Sequence, residues 1–155
     1  MPSMEPVDET YFERAPQRFV QTWSIAQPAE TVWAELTGDQ ALHWERGLRL
    51  RWTSPRPFGV GTTRQAKLMG GTTTFDEYFF IWEEGRHCAF YNTRINIPIL
   101  KSYAEDYLVE PDGTDRCRFT WQIAMTPSAI GRVSAPMNRI MANRTFRDTS
   151  RYFNA

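Results

Sequence analysis

Histidine and cysteine are scarce in this chain, and so is any surplus of charge. Its 155 residues contain two histidines, His43 and His87, and two cysteines, Cys88 and Cys117. Neither pair has the spacing of metal ligands and no CxxC occurs, so no metal site is expected. There is no phosphate-binding glycine loop and no Ser-His-Asp order, and no cofactor is expected. No apolar run approaches the ~20 residues a membrane-spanning helix needs, which argues against stable membrane insertion. Lysine plus arginine and aspartate plus glutamate number 18 each, so no net field favours nucleic acid or an anionic membrane. The first residues, MPSMEPVDETYFERAPQ, are acidic and lack the apolar stretch of a secretory signal. A soluble, cytoplasmic protein with free, buried thiols is the expectation.

What the chain has in abundance is aromatic surface, at 14% with six Trp. Such side chains supply a core or the walls of a ligand pocket. The clearest pattern is Lys101 to Met125, two extended segments around the turn Pro111-Asp112-Gly113. Pro presets φ there, Asp bonds nearby backbone and Gly accepts positive φ. Cys117, Phe119, Trp121, Ile123 and Met125 alternate with polar residues, so one face is apolar. In the partner segment Tyr103, Glu105, Tyr107 and Val109 share a phase. A carboxylate in an aromatic row suggests a lined cavity rather than a solid core.

The remaining segments follow in order. Residues 1–16 read as a loose N-terminal arm, with residues 17–155 as one domain. Arg18 to Gln27 reads as a strand, followed by a short helix over Ala29 to Leu36 and a second over Gln40 to Glu45. Period two returns at Leu48–Trp52, Thr62–Met69, Thr72–Trp82 and His87–Ile97, with Gly70-Gly71 as a hairpin signal. A long helix from Ser134 or Ala135 to Tyr152 places Met137, Ile140, Met141, Arg144 and Asp148 on one stripe. Clustered strands joined by short turns, closed by one long helix, indicate an α+β domain on an antiparallel sheet.

This order resembles the START-like helix-grip superfamily, also called SRPBCC, which includes polyketide cyclase/dehydrase-like and lipid-transfer-like proteins. The resemblance rests on AETVWAELTG after the first strand, PFGVGTTR at residues 57–64, WEEGRHCAF at 82–90 and YLVEPDGTDRCRFTW at 107–121. It implies a curved antiparallel sheet of six or seven strands gripping the C-terminal helix, with a hydrophobic cavity between them. Members bind lipids, sterols, polyketides or hormones, and a minority catalyse cyclisation or dehydration. An iron-dependent oxygenase branch uses a 2-His-1-carboxylate site, for which this chain lacks the histidine spacing.

Glu105 stands as a candidate acid/base, since burial raises a carboxyl pKa; an ion pair with an arginine is the alternative. Arg94 is a candidate partner if Phe90, Asn92 and Arg94 face inward together. Trp52, Phe79, Phe90, Tyr103, Tyr107, Trp121, Met137 and Met141 are expected to wall a pocket for a small hydrophobic or aromatic molecule. Glu77 shares the phase of Phe75 and Phe79, while Asp76 faces out if Glu77 faces in. His43 is expected on a solvent-facing helix. The row Tyr78, Phe80, Trp82 suggests a homodimer contact, an interaction face, or cover by the N-terminal arm. The expected function is ligand binding. A cyclase or dehydratase and a protein-interaction module are the alternatives.

Overall fold

The computed structural model describes all residues, Met1–Ala155. Its elements are α1 (Tyr11–Arg14), β1 (Gln17–Ile25), α2 (Ala29–Thr37), β2 (Arg49–Trp52), β3 (Thr63–Leu68), β4 (Thr73–Glu83), β5 (His87–Ile95), β6 (Leu100–Pro111), β7 (Cys117–Pro127) and α3 (Ala135–Phe153). The seven strands form one curved antiparallel sheet in the order β1-β7-β6-β5-β4-β3-β2. Only β1 leaves sequence order, crossing over to pair with β7 through Phe19–Ile123 and Trp23–Phe119.

The concave face carries the main core. Phe19, Trp23, Phe119, Trp121 and Val109 point into it, and α3 closes it with Ala142, Phe146, Thr149 and Phe153. Phe146 wedges between Trp23 and Trp121, its ring centroid 5.8 and 5.9 Å from theirs. These edge-on contacts are the geometry aromatic rings prefer. The helix therefore docks through residues 142, 146, 149 and 153, not through the expected Met137–Ile140–Met141 stripe. Met137 and Ile140 face out and are more than half exposed, while Met141 turns to the edge of the concave face.

The N-terminal arm is not loose. Met4 donates its backbone N–H to the Thr93 carbonyl, and Glu5 donates to Lys101. Helix α1 lies on the convex face, over Ala89, Ala104 and Ala124. Three alanines from adjacent strands leave room for Tyr11 and Phe12 to approach the sheet. The Tyr11 hydroxyl is 2.7 Å from both Ser102 Oγ and Thr126 Oγ1.

This arm resolves the outward aromatic row. Phe12 stacks on Phe80 with centroids 6.5 Å apart, so Phe80 is covered by the chain itself. A register shift between Phe79 and Ile81 then turns Trp82 to the opposite face. There it packs against Trp33, Trp52, Phe58 and Phe79. Tyr78, Phe80 and Trp82 therefore do not form one free interaction surface.

Past Gly38, the second short helix expected at 40–45 takes the form of successive turns. Ala41, His43 and Glu45 each donate to a carbonyl three residues back. No helix is long and apolar enough to cross a membrane.

Candidate functional site

A cavity of about 200 Å³ lies between the concave face and α3. Its walls include Leu50, Ala66, Phe75, Phe90, Tyr103, Tyr107, Trp121, Ile123 and Met125. Of the residues expected to wall a pocket, Phe90, Tyr103, Tyr107, Trp121 and Met141 do so. Met137 does not, because it lies on the outward side of α3. Trp52 and Phe79 sit behind the wall, where their rings flank the Arg64 guanidinium at 5.1 Å each, with Phe90 at 4.8 Å.

Strand alternation delivers the polar residues of the cavity. Arg64 and Ala66 of β3 face inward, as do Phe75, Glu77 and Phe79 of β4. Register places Arg64 directly opposite Glu77, and Arg64 Nε donates to Glu77 Oε2 at 2.5 Å. Both are buried, at 1% and 6% exposure. Burial works against the Arg64 charge, but the Glu77 carboxylate more than offsets it and holds the guanidinium protonated. For Glu77, burial raises the pKa to about 7 even though Arg64 pulls it down.

Arg64 is the cavity's arginine; Arg94 is not. Strand β5 carries one extra residue where Asp76 pairs with Arg94 but Glu77 pairs with Asn92. That bulge around Thr93 reverses the phase. Asn92 stays inward, while Arg94 faces out and pairs with Asp76 at 2.7 Å. The expected Arg94–Glu105 pair does not form.

Glu105 instead accepts hydrogen bonds from three side chains of the wall: Tyr103 Oη at 2.5 Å, Tyr107 Oη at 2.8 Å and Trp121 Nε1 at 3.0 Å. Burial raises its pKa, and the two tyrosine hydrogen bonds oppose the rise. Two buried polar atoms have no partner: Arg64 Nη1 and Asn92 Oδ1. Both residues line the cavity. Buried polar groups are nearly always paired, so an unpaired donor and acceptor sharing one cavity call for an explanation.

The rim adds a third carboxyl. Glu45, from the turns after α2, accepts from Thr149 Oγ1 at 3.1 Å, and burial pushes its pKa up to about 8. His43 sits nearby, on those turns rather than on a helix, within 3.1 Å of Glu35 Oε2 and Tyr152 Oη. His87 is 2.6 Å from Asp106 on the far side of the sheet.

These buried acids set the pH dependence of stability. Glu45, Glu77 and Glu105 all have folded pKa values above the ordinary value of 4.5. The folded state thus binds more protons than the unfolded chain, and stability falls as pH rises through the folded values. Between pH ~5 and ~9, Glu45 alone should remove about 2–3 kcal/mol after allowance for residual solvent screening. Thermal melts should show wild type losing stability over that range and Glu45→Gln losing distinctly less. Equal slopes for the two proteins would refute this assignment.

A family model described as "Polyketide cyclase / dehydrase and lipid transport" matches residues 16–153. A protein of Mycobacterium tuberculosis, described only as uncharacterised, is 34% identical over 97% of this chain and 93% of its own length. Among solved structures, a START superfamily protein from Mycobacterium smegmatis superposes with a TM-score of 0.70 at 13% identity, covering 86% of this chain and 92% of that one. The Zhui aromatase/cyclase from a Streptomyces species superposes at 0.65 with 13% identity, covering 89% of both chains. At such identities the structural likeness speaks for the fold.

Proposed function

Because this chain belongs to the polyketide cyclase / dehydrase and lipid transport family, we propose that it binds a small aromatic or polyketide-like molecule bearing oxygen substituents. The observation that carries this reading is the pair of unpaired buried atoms, Arg64 Nη1 and Asn92 Oδ1, on a mainly apolar cavity whose carboxyls Glu77 and Glu105 are already hydrogen-bonded. A carbonyl, carboxylate or phenolate oxygen of the ligand would accept from Arg64. A ligand hydroxyl would donate to Asn92. Hydrogen bonds to charged groups contribute more than neutral ones, roughly 1.5–3 kcal/mol each, which favours Arg64 as the main anchor. An apolar cavity of ~150 Å³ already takes up benzene in another protein, so one or two fused rings fit the volume here.

Titration with a panel of fluorescent lipids and hydroxylated aromatic polyketides tests the reading. Saturable binding of oxygenated aromatics is expected; a panel that yields no binding overturns it.

An enzymatic reading is favoured by one observation, the buried carboxyl of Glu105 on the cavity wall with its pKa raised by burial. Cyclisation or dehydration would use it as acid or base through the Tyr103 and Tyr107 hydroxyls, with Arg64 polarising a ligand carbonyl. One structural neighbour bears the name aromatase/cyclase, which agrees with that chemistry. On this reading Glu105→Gln abolishes turnover and leaves ligand affinity nearly intact.

A further inference from the structure

The charges of the chain sum to zero, yet they are segregated. No acidic residue occurs between Asp115 and Asp148, and the C-terminal part of that stretch forms a surface beside the cavity mouth. A 3₁₀ turn, Ile130–Ser134, leads into α3. Its Ile130 is 71% and its Val133 90% exposed, and Met137 and Ile140 of α3 continue the row at 54% and 61%. Arg132, Arg139, Arg144 and Arg147 are exposed on and around it.

The turn is held firmly. Ser128 Oγ accepts from the Gly131 N–H and Ser134 Oγ donates to the Gly131 carbonyl. Gly131 itself lies so close to the sheet side that an added Cβ would fall 1.8 Å from the Ile99 carbonyl oxygen. The apolar tips are therefore presented on a fixed scaffold rather than on a floppy loop. Ile99, Met69 and Met141 belong to the cavity lining, which sets the cavity mouth beside this face.

We infer that the Ile130–Met141 face docks on an anionic phospholipid surface. Exposed apolar tips flanked by arginines match the amphipathic pattern of interfacial segments, with apolar groups at the acyl boundary and cations among the headgroups. The acid-free stretch supplies the charge complementarity, and docking would bring the cavity mouth against the membrane. This goes beyond ligand binding and does not depend on it.

The experiment is co-sedimentation of the full chain with vesicles of phosphatidylcholine alone or with one-third phosphatidylglycerol. Binding should occur on the anionic vesicles and weaken with added salt. Each arginine neutralised, as in Arg132→Gln or Arg147→Gln, should lower the partition coefficient about five-fold. Val133→Glu/Ile140→Glu should abolish vesicle binding. Both residues are exposed, so the variant should keep its fold and its uptake of cavity ligands. Absence of binding to anionic vesicles, equal binding to neutral ones, or binding untouched by the double substitution overturns the inference. So does a dimer in sedimentation velocity that the double substitution splits, which would assign the face to a second copy of the chain.

Discussion

Arg64→Met should destabilise the protein by about 3–5 kcal/mol, because it leaves the Glu77 carboxylate buried without its partner. The Glu77 side chain is 6% exposed and its bond to Arg64 Nε is the contact that satisfies it. Removing Glu77 as well, in Arg64→Met/Glu77→Leu, should restore most of that stability, since a buried pair replaced by apolar groups of similar size is often neutral. Ligand affinity should not return with it. The recovered variant still lacks the guanidinium, and oxygenated ligands should bind about ten- to hundred-fold more weakly. Stability is read by chemical denaturation and affinity by fluorescence titration. A double variant that regains both would reduce Arg64–Glu77 to a structural pair.

The second large effect concerns Glu105. Glu105→Ala strands three buried donors, Tyr103 Oη, Tyr107 Oη and Trp121 Nε1. Each would cost about 1–3 kcal/mol if left wholly unpaired, but water entering the vacated space offsets part of this, so about 3 kcal/mol in total is expected. For a domain of this size that corresponds to a melting temperature lower by roughly 6–12 °C. Glu105→Gln keeps the shape and an acceptor oxygen, and should lose only about 1 kcal/mol. Thermal melts of the two variants separate a carboxylate that organises the tyrosines from one that merely fills space. Equal, small losses for both would contradict the hydrogen-bonded wall.

The inward row Tyr103–Glu105–Tyr107 and the Trp121 strand were legible in the sequence because period two runs unbroken through both segments. Where it breaks, reading by phase failed. Thr93 is the extra residue of a bulge, so Asn92 and Arg94 face opposite ways. A second shift between Phe79 and Ile81 separated Trp82 from Phe80. A bulge leaves almost no trace in local composition, because its cause is the pairing of two distant strands.

Arg64 is hidden from a strand-by-strand phase reading for a different reason, because its signal lies in the pairing across a hairpin. Folding the chain about Gly70-Gly71 sets Leu68 against Thr73, Ala66 against Phe75 and Arg64 against Glu77. The phase of Glu77 is visible along its own strand; its cross-strand neighbour Arg64 follows only from the hairpin register. Helix α3 carries two apolar stripes, and only the aromatic pocket around Phe146 decides which one is buried. Helical spacing alone favours the methionine stripe.

The central claim is that Arg64 and Asn92 select an oxygen-bearing ring. It is tested most directly by titrating 1-naphthol and naphthalene against wild type and Arg64→Met/Glu77→Leu, following quenching of tryptophan fluorescence. Apolar burial alone favours naphthalene, the more hydrophobic of the two. Wild type should prefer naphthol by about ten-fold or more, and in the double variant the preference should fall to what Asn92 alone supports. Naphthalene binding as well as naphthol in wild type, or a preference for naphthol undiminished in the double variant, would contradict it.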